Sequence, residues 1–548
     1  MKLFQIDHNF LRTFREMAKT SKLRHTRGHI CKPDLHFLNV APTSAMWDCG
    51  NFVACNKAFV AASWQMQGTT AVFRHDQFGK LPSSVPLLSG HAGSVIDLAF
   101  HPFNDQFLFT ASEDSTIRGW KIPIEGLRDS DMQPVIELVG HGKKVGILSF
   151  HPAANDVLAS AGVESVVNIW NIEVGLPHVT LKNFSDHPLS LQWNLDGSLI
   201  CASTKDKKIV VCDSRTGDQT SCTPAHEGIK SQKSVWCKRK NLIVSCGFEK
   251  FNQRRELKVW DVRNMAKAVH HEKMDESSCI PQLFYDEDTS LIFVGSKGDG
   301  LIRYYEVVDD AVPLLSCNAF FSNDPQRGMG IMPKVALDVK HCEIARFYKM
   351  GSKSLHTIHF IIPRKTADME FQEDLFPPTF GSVPAIGAHE FFQGANAQPL
   401  CQDLRGLFDG SPLRIDDKVA FSPTSRPDEG FSRQVSENVK SPADSTVPEP
   451  SGESEAPHDN THNDTEGSVR DIAFDKNQED TCSASPLLKT AEDKRKELHQ
   501  AQERLSQLRL QVAEYEALVA ELTRECDAQQ STPDLPCFTS KQIEKNSA

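Results

Sequence analysis

The stretch "SGHAGSVIDLAFHP", residues 89–102, decides the fold because it returns as "VGHGKKVGILSFHP" at residues 139–152. Each copy contains a Gly-His pair and ends with a His-Pro pair, and His91 corresponds to His141 at a distance of 50 residues. A fixed period of this length, made of short apolar runs, is the signature of a repeat architecture. The sequence therefore predicts tandem units rather than isolated histidine sites.

The tryptophans follow the same period. The runs "ASEDSTIRGW" and "AGVESVVNIW" end at Trp120 and Trp170, and a looser later copy supplies the dipeptide Trp260-Asp261. With one unit before the clear copies and further units after them, the region contains seven. Repeats of roughly 40 to 50 residues with four short strands and a G-H…W-D pattern are typical of WD repeats. We predict an all-β seven-bladed β-propeller.

This fold gives the opening histidines a structural interpretation. A histidine in a blade turn is held by a buried polar network, because buried polar groups need hydrogen-bond partners. In the first clear copy the predicted members are His91, Ser112, Asp114 and Trp120. His101 with Pro102 is predicted to mark the turn between the next two strands.

The second copy departs from the first at two positions. His141 and Trp170 are kept, but Glu164 takes the place of the aspartate and Gly162 that of the serine. We therefore expect a weaker network in this blade. Trp260 and Asp261 are assigned to the same kind of network further along the chain.

The composition excludes several functional classes. The 548 residues carry a net charge of −12, most of it between residues 425 and 485, where 14 acidic side chains stand against 5 basic ones, so the rest of the chain is nearly neutral. We predict no nucleic-acid partner, since such a partner needs a strongly basic surface. No uninterrupted apolar run is long enough for a transmembrane segment. The 15 cysteines contain no C-x-x-C pair and are predicted to be free thiols in the cytoplasm.

Composition and periodicity divide the chain into six segments. We predict an N-terminal extension (1–20), the propeller (21–362), a C-terminal extension (363–424), a disordered acidic linker (425–490), a coiled coil (491–526) and a tail (527–548). The linker has 19 Ser, Thr or Pro but only 7 Leu, Ile, Val or Phe between residues 425 and 485. Such a segment cannot bury enough apolar surface to order itself.

The C-terminal helix has the heptad pattern of an oligomerisation element. Its predicted core positions are Leu498, Ala501, Leu505, Leu508, Val512, Tyr515, Val519 and Leu522. We predict homo-oligomerisation through this coiled coil; the alternative is a lone amphipathic helix that docks on the propeller.

A search for chemical motifs finds none of the common ones. The chain has no G-x-x-x-x-G-K-[ST] phosphate loop, no G-x-S-x-G elbow and no H-E-x-x-H zinc helix. We predict that the protein is not an enzyme and uses no metal or cofactor.

Two basic clusters are candidates for contact with an acidic protein surface. One contains Lys22, Arg24 and Arg27 in "SKLRHTRGH", and the other contains Lys143 and Lys144 in the second Gly-His turn. The alternative is ordinary solvated charge.

Several motifs resemble the coronin family of WD-repeat proteins over residues 21–404. The opening "SKLRHTRG", the blade "SGHAGSVIDLAFHPFNDQFLFTASEDSTIRGWKIPIEGL" and the segments "QRGMGIMPKVALDVKHCEIARFYKM", "IIPRK" and "FQEDLFPPTFG" carry the resemblance. It implies that a strand such as "HFLNV" closes the last blade and that the C-terminal extension, residues 363–424, wraps the propeller. It also implies that propeller charges contact filamentous actin and that the coiled coil permits filament bundling. It also implies contact with the actin-nucleating complex of actin-related proteins and a place in the cytoplasmic actin cytoskeleton. The rival interpretation is a WD-repeat scaffold for trafficking or signalling complexes without actin affinity.

Two departures limit what the resemblance implies. Asn39 stands where many coronins carry an actin-contacting arginine, so that role does not transfer to this chain. In "RLSQLR", Arg509 stands where the family's trimer motif has a glutamate that pairs with the residue at Arg504. A dimer or an antiparallel tetramer is therefore as admissible as a parallel trimer.

Overall fold

The computed structural model describes residues 20–32 and 35–416. The predictions for residues 1–19, the acidic linker, the coiled-coil core and the tail lie outside the described residues. Within them, the strands in chain order are β1 Arg27–Ile30, β2 Phe37–Leu38, β3 Val53–Cys55, β4 Phe59–Ser63, β5 Thr69–Arg74, β6 Gly79–Lys80, β7 Leu87–Ser89, β8 Val95–Phe100, β9 Phe107–Ser112, β10 Thr116–Lys121, β11 Ile136–Val139, β12 Val145–Phe150, β13 Val157–Gly162, β14 Val167–Asn171, β15 Leu176–Leu181, β16 Pro188–Trp193, β17 Leu199–Thr204, β18 Lys208–Asp213, β19 Gln219–Pro224, β20 Lys233–Cys237, β21 Leu242–Phe248, β22 Arg255–Asp261, β23 His270–Lys273, β24 Pro281–Asp286, β25 Leu291–Ser296, β26 Leu301–Val307, β27 Leu314–Phe321, β28 Gly328–Ile331, β29 Glu343–Met350, β30 Ser354–Ile361, β31 Thr379–Phe380, β32 Cys401–Asp403 and β33 Arg414–Asp416.

Helices are short in this part of the chain. Two α-helices, α1 Ala388–Phe392 and α2 Arg405–Asp409, lie after the last blade strand, and single 3₁₀ turns occur at Lys238–Lys240, Lys334–Ala336 and Val339–His341.

Strands β1 to β30 form seven sheets that follow one another around a ring, and β31 to β33 form a separate three-stranded sheet. Blades 1 to 6 are the antiparallel sheets β3-β4-β5-β7, β8 to β11, β12 to β15, β16 to β19, β20 to β23 and β24 to β27, and blade 7 contains β28, β29 and β30. The first strand of each blade packs beside the first strand of a neighbouring blade, in the order β3, β8, β12, β16, β20 and β24. The first strand of blade 7, β28, contacts β3 of blade 1. This arrangement confirms the predicted all-β propeller.

Burial along each strand reflects its position in the blade. The second strands are almost wholly buried, as in β13 and β25, because neighbouring blades cover both faces. The outer strand β15 alternates between exposed and partly buried side chains, because only one of its faces packs inward. This difference in burial explains why the second strands are continuous apolar runs in the sequence and the outer strands are alternating runs.

Blade 7 takes its outer edge from the N-terminal segment. β1 pairs with the end of β30, with Arg27 opposite Ile361, and β2 pairs with its beginning, with Phe37 opposite Leu355. The stretch "HFLNV" therefore contributes Phe37 and Leu38 to this blade, and β1 adds a second piece. Phe37 is fully buried and stacks on Phe73 with ring centroids 5.0 Å apart. The closed ring leaves no unpaired edge between its first and last sheets.

The polar network of blade 2 differs from the prediction at one residue. His91 Nδ1 lies 2.9 Å from Asp114 Oδ2, but its Nε2 lies 2.7 Å from Thr110 Oγ1 rather than from Ser112. Trp120 Nε1 donates to the same threonine oxygen at 2.9 Å. Ser112 is at the end of β9, where its hydroxyl accepts the Asp114 N–H at 3.2 Å. The assignment of Ser112 was wrong, because Thr110 lies two residues deeper in the strand, within reach of both rings.

Blade 3 contains a complete network, so the expectation of a weaker one was wrong. His141 Nε2 lies 2.7 Å from Ser160 Oγ, and Trp170 Nε1 donates to that oxygen at 2.7 Å. Glu164 replaces the aspartate at 2.5 Å from His141 Nδ1. Gly162 is not a substitute for a serine, since a Cβ there would meet the Lys144 carbonyl oxygen at 2.1 Å.

A third network in blade 5 corrects the assignment of Asp261. His226 contacts Glu256 at 2.7 Å and Ser245 at 2.9 Å, and Trp260 donates to the Ser245 hydroxyl at 2.9 Å. Asp261 instead lies at the outer end of β22 and pairs with a neighbouring arginine. The network carboxylate must lie near the turn that carries His226, whereas Asp261 is at the other end of its strand.

The networks of blades 3 and 5 each have one consistent arrangement of protons. Burial lowers the pKa of His141 and of His226, which keeps both rings neutral at pH 7. Each ring then donates from Nδ1 to the carboxylate and accepts the serine proton at Nε2, while the serine oxygen accepts the tryptophan N–H. Although burial opposes it, hydrogen bonds from His226 and Lys258 lower the pKa of Glu256 to about 2. In these two networks the histidine, the serine hydroxyl, the tryptophan N–H and the carboxylate therefore all have hydrogen-bond partners.

The C-terminal extension packs across one face of the ring. Leu375 is buried against blades 6 and 7. Arg239 donates to the Pro378 carbonyl at 2.9 Å, and Arg215 donates to the Phe391 carbonyl at 2.8 Å. Phe391 is fully buried. These contacts lie on the connections at the opposite ends of the strands from the Gly-His turns, so the extension covers the face away from those turns.

We predict that Thr110→Val lowers the free energy of unfolding by about 1 to 3 kcal/mol, because valine has a similar shape but leaves the His91 and Trp120 nitrogens without their common partner. Ser112→Ala is the matched control two residues away and should cost clearly less. Chemical denaturation of both variants measures the difference. Equal losses would contradict the assignment of Thr110.

Candidate functional site

The Gly-His turn of blade 3 presents Lys143 to solvent. Glu164 accepts the backbone N–H of Gly142 at 3.3 Å while it holds His141. The turn is therefore fixed by the buried network beneath it, and Lys143, the next residue, is exposed. The network and the surface charge are parts of one local structure.

Lys144 is less free than the sequence suggested. Its Nζ lies 2.7 Å from Glu113 Oε1 and 4.6 Å from the centre of the Trp47 ring. Trp47 Nε1 donates to the same glutamate oxygen at 3.1 Å. Although burial opposes it, the hydrogen bond from Lys144 lowers the pKa of Glu113. Lys144 thus ties blade 3 to blade 2 and to the segment before blade 1.

Trp47 and Glu113 were not singled out from the sequence. They lie 66 residues apart and reach Lys144 only through the closure of the ring. No spacing rule connects them, although a tryptophan within "MWDCG" outside any strand is a detectable signal for an exposed-edge contact.

The N-terminal cluster lies at the beginning of β1. Lys22, Arg24 and Arg27 are all exposed, while Ser21, Leu23 and Thr26 between them are buried. This alternation anchors the segment on the ring and directs its basic side chains outward. Arg24 also donates to the Ser21 carbonyl oxygen at 3.1 Å.

The structure does not bring the two basic clusters together. Arg27 lies opposite Ile361, at the end of β30. The hairpin at the other end of β30 contributes Ser352 to a cavity that Trp47 also lines, and Trp47 contacts Lys144. The clusters are therefore at opposite ends of the blade strands, and an eight-residue strand such as β30 is itself roughly 25 Å long.

Asn39 follows the short strand β2 and is exposed. Its φ angle is 65°, in the left-handed region that asparagine tolerates better than most residues. The local backbone therefore favours asparagine here.

The cavity beside Trp47 has a volume of about 520 Å³. Met46, which is 92% exposed, and Phe52 supply apolar walls, and Lys297 lies over the Phe52 ring at 4.2 Å. Lys297 Nζ donates to the carbonyls of Trp47 and Cys49 at 2.6 and 3.0 Å. Burial lowers the pKa of Lys297 to about 7. The cavity is an opening on the Lys144 side of the ring that combines apolar walls with one buried amine.

One group of potential metal ligands occurs in the described residues, namely Glu249, Glu256 and His271. Lys273 pairs with Glu249 at 2.9 Å, and Lys258 pairs with Glu256 at 3.0 Å. Glu256 also holds the histidine of the blade 5 network. These carboxylates are already paired with cations, which fits a salt-bridge cluster on the outer part of blade 5.

Among residues 20–32 and 35–416, no helix is both long and apolar enough to cross a bilayer.

Three family models match parts of the chain. Residues 82–121 match the WD domain, G-beta repeat, residues 355–399 match a type of WD40 repeat, and residues 16–80 match a domain of unknown function (DUF1899).

Two known proteins are similar over most of their lengths. Coronin-A of Dictyostelium discoideum is 40% identical over 417 residues, which cover 76% of this chain and 91% of the relative. The crystal structure of the WD40 domain from Toxoplasma gondii coronin matches with a TM-score of 0.66 and 30% identity, over 70% of this chain and 98% of that domain.

Proposed function

This chain belongs to the coronin family, and from that premise we propose that it binds actin filaments in the cytoplasm and organises them into bundles. The observation that carries the proposal is the identity of 40% across 91% of a coronin's length. The protein acts by binding rather than by catalysis, without a metal or cofactor.

The basic clusters are the proposed filament contacts. Lys143 is presented on a rigid turn, and Lys22, Arg24 and Arg27 project from an anchored segment. Exposed cations on fixed backbone lose little freedom on binding and attract an acidic partner over a distance set by ionic strength. The filament contact is therefore expected to be weak for a single propeller and sensitive to salt.

The coiled coil of residues 491–526 is proposed to join several propellers through the acidic linker. Linked modules bind a repeating filament with higher avidity than one module, and propellers on one oligomer bridge two filaments. The same segment is the proposed contact for the nucleating complex of actin-related proteins. Dimer, trimer and antiparallel tetramer all satisfy this mechanism.

The second candidate function is a WD-repeat scaffold for trafficking or signalling complexes. The cavity of about 520 Å³ beside Trp47 favours it, because a cavity of this size receives side chains of a bound segment. Cosedimentation of the purified chain with actin filaments separates the two functions. A chain that stays in the supernatant at low salt supports the scaffold.

We predict that Lys143→Glu weakens filament binding and reduces its salt dependence, because it removes an exposed cation without disturbing the Glu113 pair of Lys144. Lys121→Glu is the control, since it makes the same charge change at an exposed residue at the far end of β10. A salt titration of cosedimentation compares them. Equal effects of the two variants would assign the change to net charge rather than to this turn.

The second cluster is tested separately. Lys22→Glu combined with Arg24→Glu should weaken binding if the N-terminal cluster contacts the filament. Because the clusters lie at opposite ends of the strands, the effects of the two sets should add within about 0.5 kcal/mol. Binding that is unchanged in both sets would exclude both clusters as filament contacts.

We predict that deletion of residues 491–526 lowers the apparent filament affinity by about 10² or more and abolishes bundling, because each propeller then binds alone. Deletion of residues 527–548 removes the tail but keeps the heptads and serves as the control. Low-speed and high-speed sedimentation measure bundling and binding. Unchanged bundling by the first deletion would refute the avidity mechanism.

A further inference from the structure

Cys31 lies directly after β1, where the N-terminal segment closes blade 7. Its backbone N–H donates to the Thr357 carbonyl at 3.2 Å, and the side chain is partly exposed. In the same pairing His29 lies opposite His359. Because side chains two residues apart share a face of a sheet, Cys31 is the diagonal neighbour of His359. The register therefore places the Cys31 thiol beside the His359 ring, and the interaction with Cys31 is among the causes that raise the pKa of His359.

A buried carboxylate orients the His359 ring. Nδ1 of His359 lies 2.5 Å from Oε1 of Glu343, whose side chain is 1% exposed. Arg346 Nε donates to the same oxygen at 2.8 Å. Since Nδ1 is used by Glu343, Nε2 is the nitrogen left for Cys31. A thiol, an imidazole and an orienting carboxylate are the parts of an activated cysteine nucleophile.

The charges of the cluster also favour a reactive sulfur. Although burial opposes both shifts, hydrogen bonds to Cys31 and Glu343 raise the pKa of His359 to about 9, and those from His359 and Arg346 lower the pKa of Glu343 to about 2. At neutral pH one carboxylate therefore faces two cations. Positive charge beside a cysteine favours the thiolate, the nucleophilic form of the residue.

We propose that Cys31 is an oxidation-sensitive modification site at which hydrogen peroxide forms a sulfenic acid, with His359 as the proton donor and Glu343 as the positioning residue. The Cys31 sulfur attacks one peroxide oxygen, so that an S–O bond forms as the O–O bond breaks. Sulfur loses two electrons and the peroxide is reduced. The leaving hydroxide takes the proton from His359 Nε2 and departs as water, and His359 regains a proton from solvent.

Cys222 provides a comparison within the same molecule. It lies on the outer strand β19 and is more exposed than Cys31. If access alone controls oxidation, Cys222 reacts faster. If the His359 pair controls it, Cys31 reacts faster despite its lower exposure.

The experiment exposes the full chain to a series of hydrogen peroxide concentrations at pH 7, traps sulfenic acids with dimedone and quantifies each cysteine peptide by mass spectrometry. We expect Cys31 to be labelled about tenfold faster than Cys222. This comparison needs no substitution. Labelling of Cys31 at or below the rate of Cys222 would overturn the proposal.

Substitution and pH then test the role of His359. His359→Gln keeps a hydrogen-bonding side chain but removes the charge, and should slow the labelling of Cys31 about tenfold while Cys222 is unchanged. His29→Gln is the control, because it removes the exposed imidazole directly opposite His359. Thermal unfolding verifies that both variants are folded.

The pH dependence has a definite direction. The groups that face His359 are Cys31 and His29 from β1 and Glu343 and Arg346 from β29. The ratio of Cys31 to Cys222 labelling should fall as the pH rises through about 9, where the imidazolium loses its proton. A ratio that does not change with pH, or with His359→Gln, would show that the pair has no chemical role.

Discussion

The ring depends on the pairing of the N-terminal segment with β30. A circular series of sheets has no exposed edge only if the last blade is completed, and here the missing strand comes from residues about 330 positions earlier in the sequence. The entropy of closing such a long loop grows only with the logarithm of its length, so a few buried contacts offset it. Phe37, which is fully buried under blade 7, supplies one of them. The pairing of β1 with β30 also positions the exposed basic residues Lys22 and Arg24, which precede β1, and the thiol of Cys31, which follows it.

In blades 2, 3 and 5, a buried histidine links the core to the surface. The glutamate that holds His141 also accepts the N–H of Gly142, so the turn that carries Lys143 has one conformation. A surface lysine on such a turn contributes its charge at a defined place, whereas a lysine on a mobile loop loses entropy on binding. The buried networks are therefore relevant to recognition as well as to stability.

The 50-residue period was sufficient to predict the all-β propeller, because each blade is a local unit whose strands are adjacent in sequence. It was not sufficient to assign the hydroxyl partners. Thr110 and Ser112 face the same side of β9, and only the depth of the Trp120 ring in the blade selects between them. In blade 5 Trp260 was assigned to a network, but its partners His226, Ser245 and Glu256 were missed, because this tryptophan lies 15 residues after the serine rather than 10. Contacts between blades, such as Lys144 with Trp47, follow from ring closure, which a local period does not contain.

The two faces of the propeller are not equivalent for binding. The C-terminal extension packs on the connections opposite the Gly-His turns, so a partner on that face meets the extension first. The face with Lys143 carries the turns, the cavity and the paired Lys144, whose ammonium is already held by Glu113. A contact made there by few free cations is weak by itself. In the proposed mechanism this weakness is useful, because a linked set of propellers gains affinity from the repeat of the filament while each propeller still exchanges rapidly.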